Sequence, residues 1–336
     1  MPWLRWLFWS HTDRRLRAGW RILLHLACFF YTPALLDWAV GVPVVRGIAV
    51  LFPALAPVSE RLALQGIRFL AILGSTWLIV RFIDRRAWSE LGFQFDRAWW
   101  SDLAFGLGLG ALLMSFVFWV QYAAGWVKIR DVWVVTPGNV PFGIAILGPM
   151  AVFLVVGITE ELLARGYQLR NLSEGFNGAP FAPQIAILVS WVISSSLFGL
   201  LHIFNPNATW LSILYLMLAG LFLGLGAVLT GRLGLPIGVH ITWNLVQGSV
   251  YGFPVSGNLF PSARVLVIEQ GGPPVWTGGA FGPEAGLIGI AAILLGCLCT
   301  LVWVQARYRA LRVYRPLADY RPARAPTPPA VEQATP

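Results

Sequence analysis

Residues 142–165 read Phe142-Gly-Ile-Ala-Ile-Leu-Gly-Pro-Met-Ala-Val-Phe-Leu-Val-Val-Gly-Ile-Thr-Glu160-Glu161-Leu-Leu-Ala-Arg165. Eighteen residues pass without a charge before two adjacent carboxylates and then an arginine appear. About 20 mostly apolar residues suffice to cross a bilayer as a helix, so 142–164 is predicted as a membrane span carrying ionisable groups. Working outward, seven further apolar runs lie near 20–40, 62–83, 103–125, 185–204, 210–230, 234–250 and 286–306. The whole chain of 336 residues is 57% hydrophobic and 12% charged, against about 25% charged in soluble domains. A soluble enzyme of this length is excluded, and so is intrinsic disorder, because 14% of the residues are aromatic. The predicted fold class is all-α, a polytopic membrane bundle of about eight helices.

Net charge is +9, carried by 23 Arg and Lys128. These residues sit mostly in short segments between apolar runs, as topology signals do, so nucleic acid is not an expected partner and membrane lipid is. With the N-terminus inside, inner segments hold 18 basic residues and outer segments five. That split predicts a multi-pass protein with both termini cytoplasmic. The segment from Trp3 to Trp9 mixes aromatics with Arg5 and reads as an interfacial helix. Residues 1–141 thus comprise this helix and three spans, 142–250 a core of four spans, and 251–306 an outer loop and the last span. Residues 307–336 form a basic, Pro-rich tail, and from Arg315 onward it is predicted to be disordered and to bury nothing. The outer loop from Tyr251 to Glu284 could be a lid or simply a connection. Gly106/Gly110 and Gly220/Gly224 suit close helix packing. Cys28, Cys297 and Cys299 all fall within apolar runs and read as core residues.

Ionisable groups inside a bilayer cost at least ~2.5–3.5 kcal/mol each on insertion scales, which makes them functional candidates. Glu160-Glu161, His202, His240-Ile-Thr-Trp-Asn244 and Arg68 are the four such places. Adjacent helical residues point about 100° apart, so Glu160 and Glu161 cannot both face one site. Glu161 and Arg165 are four apart, in the favourable order for an ion pair within one helix. Glu160 is left as the carboxylate without a local partner. His240 and Asn244 share a helix face. Ser195 and His202 share one too, but they lie two turns apart, roughly 10 Å, and cannot pair.

Glu-Glu-x-x-x-Arg at 160–165, Phe-x-x-x-His at 198–202 and His-x-x-x-Asn at 240–244, in that order on successive spans, resemble the CPBP family of CAAX-protease and bacteriocin-processing (Abi) intramembrane proteases. The resemblance covers the core region and extends to type II CAAX prenyl endopeptidases. It implies a CAAX-prenyl-protease-like bundle and hydrolysis of membrane-associated or lipidated peptide or protein substrates. It further implies that Glu160 and His202 activate water while His240 and Asn244 stabilise the oxyanion. A His/Asn pair on one helix face supplies the donors that amide hydrolysis needs. Through the resemblance, Arg165 holds Glu161 and Glu161 fixes the helix beside Glu160.

Metal dependence stays open at this stage. Glu160, His202 and His240 are the donor types of an open catalytic Zn²⁺ site, yet no His-Glu-x-x-His is present, which favours a glutamate that needs no metal. A transporter relaying ions through Glu160, Arg68 and the histidines is the rival from another class, and no repeated halves support it. A catalytically idle scaffold or immunity protein of the same fold is a further alternative. The expected setting is a bacterial cell membrane. One geometric demand follows from the motifs: with span four ending at 164, Glu160 and His240 fall towards the cytoplasm and His202 towards the outside. They meet only if helix four continues past Arg165 or helix five is displaced.

Overall fold

The computed structural model describes residues 8–10, 13–53, 56–136, 140–178 and 180–320. Eight helical elements dominate them: α1 (Ala18–Leu51), α2 (Val58–Asp84), α3 (Arg97–Ala123), α4 (Phe142–Phe176), α5 (Pro183–Leu200), α6 (Trp210–Thr230), α7 (Gly234–Leu245) and α8 (Leu287–Tyr308). Among the described residues, all but α7 are long and apolar enough to cross a membrane by length and composition. The molecule is an all-α multi-pass membrane protein. α7 is shorter than the span expected at 234–250. Its twelve α-helical residues run into a five-residue π-helical extension, Val246–Val250. Every residue from Gly234 to His240 is buried, so α7 is a core helix wrapped by the others.

What seats α7 is glycine. A Cβ at Gly106 or Gly110 would overlap the backbone of Leu235 or Val239, and one at Gly234 or Gly238 would overlap Trp99 or Leu103 on α3. The two helices therefore run parallel with their backbones in contact, as small residues permit within a membrane. Thr242 Oγ1 adds a hydrogen bond to Leu107 O at 2.8 Å. On the facing side, Gly157 of α4 sits against Ile241. The second pair behaves likewise, Gly220 against the Ser195 backbone and Gly224 against the Trp191 ring.

α4 does continue past Arg165. Its α-helical part Leu147–Glu161 passes through a π-helical segment, Leu162–Gln168, into Leu169–Phe176. The chain then turns and α5 climbs back from Pro183, packed on Leu169–Phe176. Glu160 lies sixteen residues above Phe176 and His202 nineteen residues beyond Pro183. At 1.5 Å per residue these are heights of about 24 and 28 Å from the same turn. The mismatch of levels expected from the shorter span therefore disappears.

Arg15, Arg21 and Arg86, counted among the inner basic residues in the sequence, are all buried. Arg15 and Arg86 reach Glu174 at 2.8 and 2.7 Å, and Arg21 reaches Asp84 at 3.2 Å. Removing such charges from water is tolerated only with partners of this kind. The tail needs a correction as well: Leu317 and Ala318 are buried, Asn177 Nδ2 donates to Ala318 O at 3.0 Å, and Arg15 lies 3.3 Å over the Tyr320 ring. Residues 321–336 lie outside the described residues. So do residues 3–7 of the expected interfacial helix, while Trp9–Ser10 form a short strand paired with Arg15–Leu16 rather than a helix.

The loop from 251 to 284 is built, not slack. Strand β1 (Val127–Val135), after α3, pairs antiparallel with β2 (Ala263–Gln270) within the loop. The remainder of the loop is tied to the bundle by Gln247 Nε2 to Pro254 O and Asn205 Nδ2 to Ser256 O.

Candidate active site

Glu160, His202, His240 and Asn244 all line one cavity of about 340 Å³. They come from α4, the turn after α5, and α7, up to 84 residues apart in sequence. The walls are mainly apolar and aromatic, with Phe29 from α1, Phe153, Phe198, Phe222, Leu223 and Trp243 among them. A concave, mostly apolar chamber with a few convergent polar groups is the usual form of a small-molecule or peptide site.

Glu160 is partly open to the cavity, its side chain 30% exposed, and its Oε2 lies 3.9 Å from His240 Nε2. Glu161, next in sequence, points the other way and is fully buried. Its Oε1 accepts from Arg165 at 2.8 Å and meets His240 Nδ1 at 2.8 Å. Arg165 also donates to Gly220 O of α6 at 2.8 Å. The expected Glu161–Arg165 pair is thus present, and the histidine is an additional partner. A carboxylate at Nδ1 accepts a hydrogen bond from its N–H, which leaves Nε2 facing Glu160 and the cavity.

His202 is not on α5 but in the turn just beyond Leu200. Its Nδ1 lies 2.8 Å from Phe198 O, a carbonyl that can only accept, so Nδ1 carries the proton and Nε2 is left as an acceptor. Phe198 explains why an aromatic belongs four residues before this histidine. Its ring lies 5.2 Å from that of His202 and 6.0 Å from that of His240, with the Arg165 guanidinium 4.5 Å from its centroid. One side chain therefore spaces three charged or polar groups and keeps water away from the buried ion pair. Asn244, one turn above His240, is half-buried on the cavity wall.

Arg68 does not reach the site. Its Nε pairs with Asp37 Oδ2 of α1 at 2.6 Å. Among the described residues no group of three or more His, Cys, Asp or Glu is arranged to hold a metal ion. Glu160, His202 and His240 share the cavity, with Glu160 Oε2 and His240 Nε2 3.9 Å apart.

Several cavity residues were not legible in the sequence. Asn205, Ser256, Asn258 and Glu284 line its end beside the 251–284 loop. Glu284 carried a faint signal, as the only charged residue between Glu269 and Arg307. The others stand in a Gly/Pro-rich loop or a turn with nothing to distinguish them.

Residues 142–246 match the family model described as Type II CAAX prenyl endopeptidase Rce1-like. No curated protein and no solved structure matches the chain. The matched interval holds all three motifs, from the ion pair on α4 to Asn244 on α7. Over residues 142–246 the chain is similar to the type II CAAX prenyl endopeptidase Rce1-like family.

Proposed function

We propose that the protein is a glutamate-dependent intramembrane endopeptidase acting on membrane-associated peptide or protein substrates. The observation that supports this reading most is the placement of Glu160 against the Nε2 side of a histidine whose other nitrogen is held by a second, buried carboxylate. Glu160 takes a proton from a water that also donates to His202 Nε2. The hydroxide so formed adds to the scissile carbonyl carbon. Negative charge collects on the carbonyl oxygen, where Asn244 Nδ2 and the Nε2–H of a protonated His240 donate to it. Glu161 accepts from its Nδ1–H, and Arg165 holds Glu161 in place. Glu160 then returns its proton to the leaving amine as the tetrahedral adduct collapses. No step in this scheme requires a metal.

In this reading the enzyme sits in a cell membrane with both termini cytoplasmic, as the 18-to-5 distribution of basic residues favours. Glu160→Gln keeps the shape of the side chain and removes the base. Comparing the membrane-associated peptidome of cells carrying wild type and Glu160→Gln tests the proposal. Products are expected with wild type only. Equal products from both would remove Glu160 as the base.

A further inference from the structure

Glu284 is a carboxylate that the scheme above does not use, yet it lines the same cavity and is only 4% exposed. It stands in a short turn just ahead of α8 and outside the membrane-spanning helices. Its carboxylate accepts from the backbone N–H of Ser256 and from Gln247 Nε2. Gln247 lies on the extension of α7, three residues past Asn244, and also donates to Pro254 O at 2.6 Å. Ser256 O in turn accepts from Asn205 Nδ2 at 2.9 Å, and the Asn205 N–H donates to His202 O at 3.0 Å.

The two turns joined by these bonds are pressed together. Gly257 has φ +82°, and a Cβ on it would overlap Pro206 O. Its N–H donates to Phe281 O at 2.6 Å. The 254–258 turn thus lies directly on the 202–207 turn, forming a roof over this end of the cavity.

We propose that Glu284 is a positioning residue that clamps the 254–258 turn onto the 202–207 turn and, through Ser256 and Asn205, sets the place of His202 in the cavity. His202 stands beyond the end of α5, tied back to the helix by its N–H to Gly199 O at 3.1 Å and by Nδ1 to Phe198 O, and the roof adds the hold on its carbonyl side. The catalytic consequence rests on the reading of the cavity as a hydrolytic site, whereas the clamp itself does not.

The clamp carries a titration that a neutral structural contact would lack. Burial pushes the Glu284 carboxyl up from 4.5 to about 7, against smaller opposing effects from its hydrogen bonds. The stretches packed around it, 203–230, 246–262 and 271–300, hold no other charged residue. The titratable groups across the cavity are Glu160, His202 and His240. A carboxyl whose value is raised in the closed roof and ordinary in the open one favours closure at low pH. That preference is fully present below about 4.5 and is lost as pH rises to about 7.

Hydrogen exchange of the full-length protein in detergent micelles, read by mass spectrometry and corrected for intrinsic rates, tests this. Glu284→Ala should raise exchange in 252–260 and 201–207 by about tenfold, with 147–176 and 287–308 unchanged. Protection of 252–260 in wild type should fall as pH rises from about 5 to about 7, and Glu284→Gln should abolish that dependence. Unchanged roof exchange in Glu284→Ala, or a pH dependence that persists in Glu284→Gln, would overturn the proposal. If Glu284→Ala fails to fold, the Glu284→Gln comparison decides alone. Neither measurement reads hydrolysis, so failure of the clamp and failure of Glu160 as base are separate results.

Discussion

Glu161 Oε1 lies 2.8 Å from His240 Nδ1, joining α4 to α7 across 79 residues of sequence. The same oxygen holds Arg165 at 2.8 Å. A single buried carboxylate thus couples the integrity of the bundle to the orientation of the histidine facing Glu160.

Glu161→Gln should therefore injure both. Taking one partner from a buried ion pair typically costs ~3–5 kcal/mol, because the remaining charge is stranded. Thermal melting of the purified variant in detergent should show a clear drop, with lower yield and lower activity. Wild-type melting and activity together would mean that Arg165 and His240 do not depend on Glu161.

His240→Ala and Asn244→Ala should each lower the rate on the order of 10²–10³, the range for losing one oxyanion donor. Neither residue belongs to the Arg165 pair, so the fold should survive better than in Glu161→Gln. Single-turnover rates on a cleaved substrate, alongside melting curves, separate the two effects. A loss below about threefold would take that side chain out of oxyanion stabilisation.

Gly110→Ala probes how closely α7 must approach α3. The added Cβ would overlap Val239 O and crowd Thr242 Oγ1, and overpacking of this kind costs about 1–3 kcal/mol. Activity should fall further than melting temperature, since His240 rides on the displaced helix. Gly108→Ala on the same helix meets no atom within 4 Å and serves as the control. Equal behaviour of the two variants would show that the α3–α7 approach does not govern the site.

Reporter fusions at Arg97 and Gly257 should report opposite sides of the membrane. Arg97 begins α3, α7 runs parallel to α3, and Gly257 follows α7 in the roof. The same side for both would contradict the path of the chain.

Local chemistry was legible in the sequence by itself. Apolar runs announce membrane helices because every residue of a span must meet lipid or protein. The Glu161–Arg165 pair follows from four-residue spacing on one helix, and the glycine pairs from the space they leave. The order of the three motifs already pointed to the matched family.

Tertiary structure decided everything that depends on partners distant in sequence. The apolar pattern ends at Arg165, so hydropathy stopped helix four there, although the helix continues to Phe176. Gln168, Arg170, Asn171 and Ser173 are polar yet buried, and Glu174 Oε2 is held by Arg15 and Arg86, 159 and 88 residues away. No local rule reveals such compensation. For the same reason the pairing of Arg15, Arg21 and Arg86 with Glu174 and Asp84 was hidden, and so was the His240–Glu161 bond. The roof was hidden too. A Gly/Pro-rich loop has no periodicity to read, and only its packing on Asn205 and Gln247 places Glu284 beside the cavity.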